Sequence, residues 1–163
     1  MSSSPQLQKT DAVVPRAAWP KILRESIIEV FATMVGATIS APETSDLPVI
    51  AHVTGMVGIA GPICATFSLR CSMDAANKIA SKMLGVPPEE AAAQKCDAVG
   101  EICNIVAGYF KAKIGLGDRC MLSVPTVLAG MDYQIRTRSD DVRMQLPIVF
   151  EEEPVWIALD IRP

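Results

Sequence analysis

The segment Asp97–Ile114, "DAVGEICNIVAGYFKAKI", constrains the fold most. Its apolar residues recur at helical spacing, and a "GLGD" sequence stops it. Most of such a helix wants burial, so the chain has to build a surface for it. Segments of β character stand on both sides. "VIAHVTGMVGIAGPICATFSLR" reads as two strands joined through "GIAG". After the helix come "RCMLSVPTVLAG", "YQIRTRS", "VRMQLPIVFEE" and "PVWIALDI", all β-like, with "EEEP" as the end of a hairpin.

Two more helical segments complete the order. In "AAWPKILRESIIEVFATMVGATI" the residues Ile22, Ile27, Val30, Phe31, Met34 and Val35 form an apolar stripe, and Pro20 fits the first turn. "SMDAANKIASKML" is a shorter helix, with Ser72 as N-cap and Gly85 as C-cap. "PPEE" opens a helical stretch that runs on to about Ile114. The order helix, strands, helix, helix, strands predicts an α+β fold: a mainly antiparallel sheet packed by two long helices and a shorter one. A length of 163 residues suits one domain with a real core. We expect a flexible Ser-, Pro- and Gln-rich tail over 1–15 and a single domain over 16–163.

Composition excludes several functions. The formal net charge of −3 gives no global reason to bind nucleic acid. The longest apolar runs are broken by His52, Gly and Pro, so no membrane span is expected. "MSSSPQLQKTDAVVP" has no apolar core of a signal peptide, and a cytoplasmic location is the default expectation. The five cysteines, Cys64, Cys71, Cys96, Cys103 and Cys120, include no C-x-x-C pair. They read as buried reduced thiols. With His52 as the one histidine, in a strand-like segment, neither a Cys–His nucleophile nor a zinc site is expected.

The long helix carries one irregularity. At roughly 100° per residue, Asp97, Glu101, Asn104 and Gly108 fall within about 60° of one another. Val99, Ile102, Val106, Tyr109 and Phe110 lie opposite. A solvated helix face accounts for such a seam. Solvated faces, however, usually carry Lys and Glu in i,i+4 pairs, and Asn is a mediocre helix former. An Asn side chain offers two donors and one acceptor oxygen in a plane, which suits holding and aiming a water. Phosphoryl transfer depends largely on such positioning, and a neighbouring carboxylate can clamp a lysine on the molecule bearing the phosphoryl group. Gly108 lets a partner approach the helix closely.

"EVFATMVGATI" from Glu29 can be laid over "EICNIVAGYFKAKI" from Glu101. Glu29 then matches Glu101, Gly36 matches Gly108, and Ala32 stands where Asn104 does, which suggests an internal pseudo-repeat whose first copy lacks the amide. Taken with "VTGMVGIAGPICATFSLRCSMDAANKIASKMLG", "DAVGEICNIVAG" and "SVPTVLAG", the sequence from about Trp19 to Ile161 resembles the CheX members of the CheC/CheX/FliY family of chemotaxis phosphatases. The signature carrying the resemblance is Asp97, Glu101, Asn104 and the distal Pro125.

The resemblance implies hydrolysis of the aspartyl phosphate on a CheY-type response regulator. Asn104 would orient the attacking water and Glu101 would pair with the regulator's lysine. Asp97 and Gly108 would border the contact, and Pro125 would shape the loop beside the helix. The chain would need no cofactor of its own, because Mg2+ would come with the regulator. One signature rather than two agrees with a CheX-like member, many of which dimerise through their sheets. Glu29 would be structural only. The 20 residues between Asn104 and Pro125 are slightly fewer than in the family form, which puts the position of the Pro loop in question. Two other readings stay open: a module that docks a regulator without dephosphorylating it, and a structural dimerisation domain in a signalling or motility assembly.

Overall fold

The structure is a computed structural model that describes residues 12–44, 46–48, 51–138 and 140–163. Its helices are α1 (Trp19–Val30), α2 (Met73–Leu84), α3 (Pro88–Ala91) and α4 (Lys95–Lys113). Its strands are β1 (Val53–Ala60), β2 (Cys64–Cys71), β3 (Met121–Leu122), β4 (Thr126–Ala129), β5 (Val142–Phe150) and β6 (Glu153–Ile161). The sheet order is β3-β1-β2-β6-β5, with β4 paired to β1 on the same side as β3. All these pairings are antiparallel. The α+β architecture expected from the element order is the one observed.

Strand alternation sorts the sheet into two faces. Val53, Val57 and Ile59 of β1, Phe67 and Leu69 of β2, and Ile157 and Leu159 of β6 are buried with the apolar sides of α1, α2 and α4. The opposite face carries Thr54, Thr66, Ser68, Arg70 and Asp160. On that face Asp160, 4% exposed, takes two hydrogen bonds from the Arg143 guanidinium, at 2.6 and 3.1 Å. Asp160 in turn raises the Arg143 pKa, chiefly through that hydrogen bond.

The local signals are largely realised. The Ser72 side chain accepts from the Ala75 N–H, and Gly85 closes α2 at φ +67°. Pro20 lies in the first turn of α1. Glu151 and Glu152 form the β5–β6 turn with positive φ. Of the tail expected over 1–15, residues 1–11 lie outside the described residues. Val14 donates its N–H to Ile114 O, and its own carbonyl accepts from Trp19 Nε1.

Four expectations need correction. "YQIRTRS" forms no strand over Tyr133–Arg138. Its alternation is real, with Tyr133 and Ile135 turned inward, but the segment crosses the polar sheet face, where the Tyr133 and Thr54 hydroxyls share a 2.8 Å hydrogen bond. The helix from "PPEE" is not continuous, because a 3-10 turn over Ala92–Gln94 separates α3 from α4. Met34 and Tyr109 are exposed rather than core, each at the edge of its apolar stripe. Cys64 is exposed at the start of β2, facing away from the helices. Cys71 and Cys103 are buried as expected, and burial pushes the Cys71 thiol up to about 12 and the Cys103 thiol further still. The two helices matched in the pseudo-repeat differ at their glycines: Gly36 ends its helix at φ +67°, whereas Gly108 lies inside α4.

Candidate functional site

The position of α4 on the sheet is set by a missing side chain. A Cβ at Gly55 of β1 would lie 2.6 Å from Cys103 Sγ and 3.0 Å from Val99 Cγ1. The helix can settle this low only over glycine. Val99, Ile102, Cys103, Val106 and Phe110 point into the core from it.

A second close approach fixes its orientation. A Cβ at Gly100 would meet Val127 Cγ2 at 3.3 Å and Pro125 Cβ at 3.4 Å, so the β3–β4 segment lies against that side of α4. Two turns on, Leu122 Cδ1 stands 3.9 Å from the corresponding point on Gly108. Asn104 is midway between these glycines and on the same side, about 40° round the helix from Gly100. Glu101 lies about 60° further from the strand edge than Asn104. The burial follows that order: Gly100 is buried, Asn104 and Gly108 are half-buried, and Asp97 and Glu101 are exposed.

Pro125 sits in a bulge. Ile59 pairs with Leu122 and Met56 with Thr126, so three steps along β1 face four along its neighbour. Val124 and Pro125 together oppose Val57, a two-for-one bulge in which a proline is tolerated. Ser123 anchors it: Gly58 N–H donates to Ser123 Oγ at 2.8 Å, and Ser123 N–H donates to Gly58 O at 2.9 Å. The C-terminal end of α4 is tied to the turn leading into β3, where Lys111 Nζ donates to the carbonyls of Gly117 and Cys120. Gly100, Lys111 and Ser123 therefore position the site, and sequence reasoning missed all three. For Gly100 there was a signal, since a helix-interior glycine four residues before Asn104 marks a close approach.

Among the described residues, the α4 side chains that hydrogen-bond within the chain are Lys95, Lys111 and Lys113. The side chains of Asp97, Glu101 and Asn104 have no such partner. Glu29, by contrast, pairs with Lys113. Ala32 is exposed at the position matching Asn104.

The sequence profile described as "Chemotaxis phosphatase CheX" matches residues 53–149, more than half of the chain and inclusive of the whole seam. The chain belongs to the CheX family. A curated relative, the CheY-P phosphatase CheX of Thermotoga maritima, is 28% identical over 151 residues, covering 87% of this chain and 96% of the relative. A crystal structure of chemotaxis protein CheX from Vibrio vulnificus superposes with a TM-score of 0.75 at 22% identity, covering 88% of this chain and 99% of that one. The CheX of a CheX–CheY–BeF3–Mg2+ complex from Borrelia burgdorferi superposes with a TM-score of 0.74 at 18% identity, covering 89% and 98%. At these identities the two structural likenesses establish the CheX fold.

Proposed function

We propose that this CheX-family chain is a phosphatase that hydrolyses the aspartyl phosphate of a CheY-type response regulator. One observation carries the reading: Asn104 and Glu101 stand side by side on α4, accessible and without a side-chain hydrogen bond to any of the described residues. The Asn104 amide is half-buried and accessible to a molecule that docks on α4. Its planar donors and acceptor hold the attacking water in line with the scissile P–O bond. The water oxygen bonds to phosphorus, the aspartyl oxygen leaves as carboxylate, and inorganic phosphate departs. Glu101 pairs with the regulator's active-site lysine, and Asp97 and Gly108 border the contact. Pro125, packed near Gly100, holds the neighbouring bulge at its distance from the helix despite the short loop.

The Mg2+ of the reaction is taken as the regulator's own. Among the described residues, no group of three or more His, Cys, Asp or Glu is placed to hold an ion in this chain. Support for CheY as substrate comes from the names of the Thermotoga relative and the Borrelia complex. Residues 16–163 act as a single phosphatase domain in this reading, consistent with one core that runs from Trp19 to Ile161. The chain works as a homodimer formed through its sheet, in the cytoplasm with the regulator. Among the described residues, no helix is long and apolar enough to cross a membrane.

The test is aspartyl-phosphate decay on a CheY regulator phosphorylated with acetyl phosphate. The wild-type chain should accelerate decay and Asn104→Ala should not. Equal decay with both proteins would remove the amide from the mechanism, and binding without accelerated decay would leave a docking module.

A further inference from the structure

We propose that the sheet face away from the helices carries a pocket for a small organic anion, headed by a phosphate or a carboxylate, with Arg70 and Arg136 as its cationic contacts. The pocket lies across the sheet from α4, so the proposal stands apart from the phosphatase reading.

The pocket is a cavity of about 260 Å3 lined by Ala51, Arg70, Tyr133, Gln134, Ile135 and Arg136. That is far more than the space one water needs. It exists because the segment after β4 crosses the polar face without joining the sheet. The Tyr133 and Thr54 hydroxyls, bonded at 2.8 Å, pin this segment over β1. Arg70 is the cross-strand neighbour of Thr54 on β2 and shares its face. One arginine thus comes from the sheet and the other from the segment that crosses it.

The charge at this place is not balanced. Arg70 is half-buried, and its Nε is covered without a hydrogen-bond partner among the described residues. Asp160 is the carboxylate whose charge reaches Arg70, but both of its oxygens already accept from Arg143. Burial, and after it the Arg143 guanidinium, lower the Arg70 pKa, so the fold disfavours the charge it has put there. Arg136 adds a second cation, with no ion pair among the described residues. A guanidinium partly withdrawn from water gains most from an oxyanion that matches its fork, and phosphate and carboxylate both accept two parallel hydrogen bonds from it. Tyr133, Ile135 and Ala51 add aromatic and apolar wall, which fits an anion with an organic body better than a bare ion.

Phenyl phosphate, benzoate and phenol share one ring and differ in the head, so calorimetric titration of the wild-type chain with each reads the head directly. At least one of the two anions should bind one-to-one, phenol should not, and the tighter anion names the head. Arg70→Met should weaken that binding about tenfold or more, and Arg136→Met, at an exposed position, a fewfold. Without ligand, Arg70→Met should melt no lower than wild type, because it removes a charge that Arg143 opposes. Asn104→Ala should bind the anion as wild type does. Binding of neither anion, or affinity unchanged in both arginine variants, overturns the proposal. So does binding lost in Asn104→Ala, which would move the anion to α4. A clear drop in the Arg70→Met melting temperature would mean that the chain itself already answers Arg70. Separation of a dimer by that variant would mean that a second copy does. Either result overturns the pocket.

Discussion

Asp160 and Glu101 are two carboxylates treated in opposite ways by one fold. Asp160 is on the sheet face away from the helices, almost fully buried, and answered twice by Arg143. Glu101 is on the helix layer, exposed, with no partner among the described residues. A charge that serves the fold has its counter-charge beside it, because an unpaired buried carboxylate is expensive. A charge kept for another molecule can stay unpaired only where water solvates it in the meantime. Asn104 sits between these regimes, half-buried beside the exposed Glu101.

That contrast breaks most clearly at Asn104. Asn104→Ala should cost about a hundredfold or more in the accelerated decay rate, the scale on which a mispositioned reactant is felt. Its melting temperature should barely move, since no hydrogen bond among the described residues is lost. A variant that unfolds instead would mean the amide serves the core. Glu101→Ala should cost roughly tenfold or somewhat more, the value of one charge-assisted hydrogen bond to a lysine. Single-turnover decay at saturating and subsaturating enzyme would separate binding from rate.

Asp160→Asn inverts the pattern. It should lower stability by roughly 1–2 kcal/mol, a discounted figure because Arg143 is part-exposed and can turn to water. Decay at a temperature where the variant is folded should match wild type. Denaturant midpoints measure the first and the phosphate assay the second. An activity loss in the folded variant would connect the two faces of the sheet and undo the separation argued here.

The same contrast explains what the sequence made legible. Periodicity exposed the helices, and Ser72, Gly85 and Pro20 marked their ends, because those signals are local. The seam of Asp97, Glu101, Asn104 and Gly108 was visible since it departs from the usual Lys and Glu of a solvated face. The partner of Asp160 was not visible, because the Arg143 pairing depends on β5–β6 register. Nor was the bulge, which exists only when β3 and β4 are laid against β1. "YQIRTRS" misled because alternation reports which side is covered and cannot report whether a neighbouring strand is present. Tyr133 finds Thr54 across the sheet face instead.

Gly108 is the finest test of the comparison, since it belongs to the seam yet has a neighbour of its own. Its nearest atom beyond the helix is Leu122 Cδ1, at ordinary contact distance from a Cβ placed there. Gly108→Ala should therefore fit without strain and stabilise the free chain by up to about 1 kcal/mol, the helix-interior difference between the two residues. If a regulator's backbone closes on α4 at this point, the added methyl intrudes and KM rises a fewfold while the melting temperature climbs. A rise in both quantities would mark Gly108 as a residue kept for its partner at the expense of its own helix. Higher stability with unchanged KM would restrict the docked surface to the turns of α4 that carry Asp97, Glu101 and Asn104.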